Sequence, residues 1–188
     1  MNEFETLLPQ HIKDMFYNLF SDEISVNVFE EWLYDDEVIE QIIGPDRYLE
    51  LILINYNNRG AKYELIPLIE KYIDMGEFES RKLIALLKKI LMKPKEYPYL
   101  IMELYDLYCG GYFFLQKLGL EYGLCMYAPH GANSWEELSE AKQKALVDGF
   151  SPEIEKEIEQ NIALLENKSI VLTGQKNELG QYCFIDYR

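Results

Sequence analysis

Apolar residues recur every three or four positions along most of the chain, which is the spacing of an amphipathic helix. The first such run covers residues 7–20 and predicts a helix with Pro9 near its start. The run from residue 28 to residue 43 has two apolar faces and predicts one broken helix or two short ones. Gly44-Pro45 then stops the chain and restarts it, because proline fits the first position of a helix.

Two further apolar segments follow on either side of a turn. Residues 48–56 are apolar nearly all round and predict the most buried helix, with a buried strand as the alternative. Residues 65–73 carry a helical face that Pro67 interrupts, which predicts a kink or a late helix start. We expect Met75-Gly76 to end this helix.

A basic helix and a long apolar run occupy the middle of the chain. The basic helix is predicted from residue 81 to the break at Pro94. The apolar run covers residues 99–118 and is crossed by a Cys-Gly-Gly break at residues 109–111. Residues 119–133 contain glycine and proline and predict a loop-rich junction.

The end of the chain has the clearest supersecondary pattern. Ser134 and Glu137 form a capping-box motif for a helix over 135–147, and a second helix is expected over 152–165. Residues 169–187 alternate between apolar and polar side chains around a central turn, which predicts a hairpin. This order of helix, helix and hairpin is similar to the end of a winged-helix domain.

These patterns predict a mainly α fold, a multi-helix orthogonal or repeat-like bundle with a C-terminal β-hairpin. A chain of 188 residues with 48% hydrophobic side chains can bury a core of its own. We therefore expect a single helical domain over residues 1–188, in which residues 134–188 form a helix-helix-hairpin subdomain.

Cysteine usage and hydropathy indicate the compartment. Three cysteines cannot all pair, and the chain has no CxxC motif, which favours reduced thiols. No basic, apolar signal segment opens the chain, and no run of about 18 apolar residues could cross a membrane. The expected protein is soluble and cytoplasmic, of bacterial type, with no membrane partner.

Acidic residues outnumber basic ones by 33 to 18, which gives a net charge of −15. The excess is concentrated between Asp22 and Glu50, where ten carboxylates accompany one base, Arg47. Such a stretch repels phosphate backbones and attracts cationic partners. A face that is charged only for solubility is the competing interpretation.

One basic stretch contrasts with this acidity, since residues 81–95 contain no acid. Contact with nucleic acid or a membrane surface is one interpretation, and compensation of the acidic N-terminal third is the other. Glutamates dominate the helix predicted over 152–165, so DNA is not expected to bind there. The basic residues are Arg81, Lys82, Lys88, Lys89, Lys93 and Lys95.

Catalytic and metal-binding motifs are absent from the sequence, including HExxH, GxSxG, GxxxxGK[ST] and GxGxxG. Cys125 and His130, with Glu121 nearby, are the combination that could form an activated thiolate or a poor metal site, and a buried cysteine beside a loop histidine is the competing interpretation. A thiol-dependent enzyme around Cys125 and His130 is therefore one alternative. Apart from it, we expect no enzymatic activity, no catalytic residue, no metal and no cofactor.

Acidic and aromatic residues alternate closely in the first half of the run from residue 28 to residue 43. Glu30 and Glu31 flank Trp32, and Tyr34 precedes two aspartates. Aromatic side chains provide contact area at low entropic cost, so the pattern is more typical of a recognition surface than of a catalytic pair of carboxylates. Filling of the core by these aromatic rings is the alternative interpretation.

Residues 29–73 resemble the helical, acidic segments of bacterial immunity proteins, which neutralise polymorphic toxins. The resemblance implies a non-catalytic cytosolic module that binds a cationic protein, such as a toxin, and it implies no particular architecture. It places six residues at the interface: Glu30, Glu31, Trp32, Tyr34, Asp35 and Asp36. The alternative is a nucleic-acid-associated or regulatory winged-helix-like protein that uses the basic 81–95 helix.

Overall fold

The computed structural model describes residues 8–188, and the chain divides into two compact units. The N-terminal unit ends at Asp74, and the C-terminal unit comprises Met75–Arg188. The expected start of the first helix at residue 7 lies outside the described residues.

The N-terminal unit is built from short helices. The described part of this unit contains α1 (Gln10–Phe20), α2 (Val26–Asp35), α3 (Ile39–Ile43), α4 (Pro45–Ile52) and α5 (Ala61–Ile69), followed by a 3-10 turn at Glu70–Tyr72. The Ser25 hydroxyl accepts a hydrogen bond from the Val28 backbone N–H and caps α2. Gly44 adopts a positive φ of 85° before Pro45 begins α4, as the Gly-Pro pair predicts.

Aromatic rings form the core of the N-terminal unit. Phe16 of α1 packs against Phe29 with ring centroids 6.0 Å apart, and against Tyr72 at 6.1 Å. Both phenylalanines are fully buried, as are Leu33 and Leu65. The cluster joins α1 and α2 to the end of the unit, so these helices stabilise each other by burying apolar surface.

Two expectations for this unit are wrong. Residues 48–56 do not form the most buried helix or a strand, because α4 buries only Leu51, whereas Leu49 and Leu53 are 49% and 73% exposed. Helix α5 begins at Ala61 and continues through Pro67, so the late start is wrong, whereas the alternative, a kink at Pro67, stays a prediction. Because Pro67 has no backbone N–H, one carbonyl in the preceding turn of α5 lacks its usual hydrogen-bond donor.

Longer helices and a hairpin make up the C-terminal unit. It contains α6 (Met75–Leu91), α7 (Tyr97–Cys109), a 3-10 turn (Phe113–Leu115), a π-helix (Leu118–Gly123), α8 (Leu124–Tyr127), a second 3-10 turn (Trp135–Glu137), α9 (Glu140–Asp148), α10 (Glu153–Glu166), β1 (Ile170–Lys176) and β2 (Tyr182–Asp186). Helix α6 packs against both α10 and β1. One continuous cluster of buried side chains extends from residue 83 to residue 172.

The antiparallel hairpin pairs Ile170 with Asp186 and Leu172 with Phe184, and its register shifts before Lys176 pairs with Tyr182. The described residues thus form ten α-helices and a C-terminal hairpin, which confirms a mainly α fold with that hairpin. The single-domain prediction for residues 1–188 remains a prediction. Among the described helices, none is long and apolar enough to cross a bilayer.

Three local expectations for the C-terminal unit are wrong. Met75-Gly76 begins α6 rather than ending the preceding helix. The predicted loop over 119–133 is helical through Tyr127. Ser134 does not cap a helix over 135–147, because only a 3-10 turn follows it and α9 starts separately at Glu140.

Candidate functional site

The outer face of α2 carries three of the six residues predicted at an interface. Glu31, Tyr34 and Asp35 are exposed and share one side of the helix with Val28, since positions three, six and seven residues apart lie on one face. Tyr34 is 56% exposed and Val28 is 46% exposed. This side of α2 therefore combines two carboxylates with an aromatic and an aliphatic side chain.

Trp32 follows Val28 by four residues, so it lies at the edge of this outer face, where α2 meets the core. Its ring is half-buried, with its centroid 5.2 Å from that of Phe29 and 6.2 Å from that of Phe16 in an edge-on arrangement. Glu30 is also half-buried. Trp32 therefore belongs to the aromatic core of the N-terminal unit, and its ring is not an exposed anchor.

Asp36 is engaged in backbone contacts that organise the turn after α2. Its Oδ1 accepts hydrogen bonds from the backbone N–H groups of Val38 at 2.9 Å and Ile39 at 3.0 Å. Its Oδ2 lies 3.1 Å from Nε2 of His11, and the side chain is only 8% exposed. Asp36 therefore starts α3 and connects it to α1, so it offers little surface to a partner.

Further carboxylates on the neighbouring helices extend the negative charge of α2. Within the described residues, none of these carboxylates forms an ion pair, in contrast to Glu50, which is 3.2 Å from Arg47, and to Asp22, which pairs with Lys62. We call the exposed, unpaired group the acidic surface: Glu31, Asp35, Glu37, Glu40 and Asp46.

Exposed apolar side chains accompany the acidic surface on α4. Asp46, Leu49, Glu50 and Leu53 are spaced at three, four and seven residues, so they occupy one side of α4 and its end. Sequence reasoning missed the two leucines because it assigned the whole segment to the core. The charged residues at this spacing were the signal that could have identified the exposed side.

Two further tyrosines, the half-buried Tyr48 and the buried Tyr56, hydrogen-bond to backbone carbonyls near this surface. The hydroxyl of Tyr48 donates to the Leu33 carbonyl at 3.3 Å, and the hydroxyl of Tyr56 donates to the Leu51 carbonyl at 3.1 Å. Burial raises the pKa of Tyr56, and the nearby Glu30 carboxylate raises it further. These phenols are therefore neutral donors that tie α2 and α4 to the chain around them.

Three of the six basic residues in the stretch 81–95 form ion pairs inside the C-terminal unit. Arg81 pairs with Glu77 at 2.9 Å, and Lys88 pairs with Glu166 at 2.8 Å. Lys93 forms a third ion pair, described next. The carboxylates that pair with these three residues come from α6 and α10.

Lys93, Ser151 and Glu155 form a compact polar cluster. The Lys93 ammonium donates to Ser151 Oγ at 2.8 Å and lies 2.6 Å from Glu155 Oε1, to which Ser151 donates at 2.6 Å. Burial raises the pKa of Glu155, but the hydrogen bonds from Lys93 and Ser151 outweigh it, and the net pKa is lowered. A carboxylate with a lowered pKa is a poor base, so the cluster is an ion-pair network at the start of α10.

Cys125 and His130 are both exposed, and no hydrogen bond joins them. The structure therefore provides no base for an activated thiolate in this pair. Among the described residues, no group of three or more His, Cys, Asp or Glu side chains could hold a metal ion.

Comparison with known proteins finds no matching family model, no matching curated protein and no matching solved structure. The resemblance of residues 29–73 to bacterial immunity proteins therefore stays a prediction. A functional proposal has to rest on the chemistry of the surface.

Proposed function

We propose that this chain is a non-catalytic, cytoplasmic protein-binding module. It binds a cationic protein through the acidic surface and the apolar side chains beside it. A toxin is the partner that the resemblance to immunity proteins implies. The observation that carries the proposal is the set of five exposed carboxylates on α2, α3, α4 and the turn between α2 and α3, none of which has a cationic partner among the described residues.

Unpaired like charges on neighbouring helices repel each other and destabilise the free protein. A cationic partner relieves this repulsion, and the field of the carboxylates raises the rate of association. Five carboxylates with no internal counter-charge are therefore better suited to a partner than the paired Asp22 and Glu50.

Exposed apolar side chains beside the acidic surface would slow dissociation of a partner, which charge alone does little to achieve. Tyr34, Leu49 and Leu53 are large side chains in contact with solvent on the same helices. Their burial against a partner slows dissociation, whereas rim charges act mainly on association. In this proposal Tyr34 takes the anchoring role that sequence reasoning gave to Trp32, and Glu31 and Asp35 remain interface residues.

The test uses the product of the adjacent gene, provided that it carries a cationic domain, and measures its association with the full chain by surface plasmon resonance. A variant with Glu31→Gln, Asp35→Asn, Glu40→Gln and Asp46→Asn should associate about tenfold more slowly and lose most of its salt dependence. A variant with Asp22→Asn and Glu50→Gln, which changes two paired carboxylates, is the matched control and should behave nearly as the parent chain does.

Specific results of this experiment would refute the proposal. If the neighbouring product does not bind at low salt, or if the four amide substitutions leave the association rate unchanged, the proposal is wrong. Lysozyme, a cationic protein of unrelated fold, serves as a reference. Equal affinity for lysozyme and for the neighbouring product would reduce the effect to non-specific charge attraction and would also refute the proposal.

A further inference from the structure

A cavity of about 70 Å³ lies in the C-terminal unit, between α6, α7 and the start of β2. Helix α6 contributes Glu79, Lys82 and Leu83 to its lining, α7 contributes Glu103, and Tyr112 and Tyr182 complete it. Space of this size holds only a small chemical group. Because the cavity lies in the other unit, it is independent of the acidic surface and of the proposed function.

Tyr112 is the polar group of this cavity that lacks a partner. The residue is 2% exposed, and its hydroxyl makes no hydrogen bond within the described chain. Buried hydroxyls are normally hydrogen-bonded, since an unpaired one has lost its water without compensation. Burial raises the pKa of Tyr112, and the Glu79 carboxylate raises it further, so the phenol keeps its proton and lies within the field of that carboxylate.

The ring of Tyr112 is held in place on two sides. It stacks on Tyr182 with a centroid distance of 4.8 Å and an interplanar angle of 21°, and it packs against Phe114 at 5.9 Å. The Tyr182 backbone N–H donates to the Gly110 carbonyl at 2.8 Å, and a Cβ on Gly111 would lie 2.7 Å from the Tyr182 backbone. The strand thus fits closely against this turn, and the phenol is fixed at the cavity wall.

Two carboxylates of the cavity are also without partners. Glu79 is half-buried and Glu103 is exposed, and in the described residues neither forms a hydrogen bond or an ion pair. Lys82 lines the same cavity but forms no ion pair with either carboxylate in the described chain, and its Nζ lies 6.0 Å from the centroid of the Phe78 ring. The lining therefore combines three unpaired oxygen-bearing groups, one ammonium at its edge and apolar leucine walls.

We propose that this cavity binds a primary ammonium group. An ammonium group has three N–H donors and no acceptor. The Glu79 and Glu103 carboxylates and the Tyr112 phenol oxygen supply three acceptors, while the phenol hydrogen turns to a carboxylate. The leucine walls suit the methylene groups that adjoin the ammonium.

Other ligand classes fit this lining less well. A phosphate or carboxylate would meet two glutamates against one lysine, and like charges repel. A calcium ion takes about six to eight oxygen ligands, and two carboxylates with one phenol fall short of that number. A neutral group would leave both carboxylates without the counter-charge that an ammonium group provides.

A primary ammonium group has two sources, a free small amine and the lysine side chain of a polypeptide. The probes are n-propylammonium for the first source and Nα-acetyl-lysine methylamide for the second. Tetramethylammonium, which has the charge but no N–H donor, is the control ligand. Binding is followed by NMR of the full chain carrying ¹³C-labelled tyrosine, with the Tyr112 and Tyr182 signals assigned from Tyr→Phe variants.

Saturable shifts of the Tyr112 and Tyr182 signals with both amines, and none with tetramethylammonium, are the expected result. Glu79→Gln should weaken binding about tenfold, since it removes a charge-assisted hydrogen bond. Tyr112→Phe keeps the ring stacking and should weaken binding less, whereas Lys82→Ala should strengthen it. Tighter binding of the lysine derivative than of propylammonium would identify a polypeptide as the source.

Matched variants make the outcome decisive. Glu178→Gln removes an exposed carboxylate in the hairpin turn, outside the cavity, and should leave affinity unchanged. Absence of a saturable shift in the parent chain overturns the proposal. Tighter binding in Glu79→Gln, weaker binding in Lys82→Ala or an equal response to tetramethylammonium also overturns it.

Discussion

The two units differ in how their helical carboxylates are paired with cationic side chains. Residues 1–74 contain sixteen acidic and five basic residues, whereas residues 75–188 contain seventeen and thirteen. In the C-terminal unit, Glu155, Glu157 and Glu166 of α10 each pair with a lysine from another segment, at 2.6 to 2.8 Å. In the N-terminal unit most exposed carboxylates of α2–α4 have no counter-charge among the described residues.

The role of an acidic stretch therefore depends on the contacts that its carboxylates make within the chain and not on its length. Helix α10 is rich in glutamate, but its charges hold the unit together. The stretch that ends α2 has a similar appearance in the sequence, yet only Asp36 makes contacts that organise the fold. Charge density alone therefore does not distinguish a binding surface from a structural ion-pair network.

The largest expected effect separates core from surface within α2. Trp32→Ala should lower the free energy of unfolding by about 2 to 3 kcal/mol, because the ring packs against Phe16 and Phe29. Tyr34→Ala, two residues along, should change it by less than about 0.5 kcal/mol, since that side chain is exposed. Urea unfolding measures both values. A Trp32→Ala variant as stable as the parent would show that the ring is free to anchor a partner.

A second, smaller effect separates two adjacent aspartates. Asp36→Ala should cost about 1 to 2 kcal/mol, because it removes the acceptor of two backbone N–H groups and the contact with His11. Asp35→Ala should be neutral or slightly stabilising, since Asp35 is exposed at the C-terminal end of α2, where the helix dipole disfavours a negative charge. Thermal unfolding of the two variants in parallel checks this, and equal losses would contradict it.

The third effect concerns pH and the C-terminal unit. The folded-state pKa of Glu155 lies below its ordinary value of 4.5, so its stabilisation is present above that value and is lost as pH falls through the folded pKa. Glu155→Gln should therefore cost about 1 kcal/mol near neutral pH and nearly nothing in strong acid. Glu153→Gln, an exposed neighbour, is the control. A loss that persists unchanged in acid would mean that the charge of Glu155 is not involved.

The sequence predicted the positions of turns, helices and strands better than the packing around them. The break at Gly44-Pro45 and the terminal hairpin follow from local chemistry and are confirmed. The helix over residues 118–127 was missed because glycine was read as a sign of a loop. A Cβ on Gly119 would lie 2.6 Å from Tyr108 Cβ, and one on Gly123 would lie 2.8 Å from Tyr105 Cβ, so these glycines serve close packing against α7.

The sequence was enough to predict the residue types of the candidate surface, but not which of their side chains are exposed. Trp32 and Tyr34 are both aromatic residues in an acidic context, and only the position of Phe16, far along the chain, decides which ring is covered. The role of Asp36 likewise depends on His11, which is 25 residues away in sequence. Tertiary contacts of this kind leave no local signal in a single sequence.

The smallest expected effect tests whether the C-terminal ion pairs are equal. Lys88 and Glu166 are each about half exposed, at 53% and 52%, whereas Glu155 is 25% exposed opposite Lys93 at 45%. A double-mutant cycle with Lys88→Met and Glu166→Gln should give a coupling energy of about 0.5 kcal/mol or less, because water and salt screen an exposed pair. The same cycle on Lys93 and Glu155 should give a larger value that persists in high salt, since that pair shares a hydrogen bond with Ser151. Equal couplings would contradict this ranking and would assign the stability of α10 to its apolar face alone.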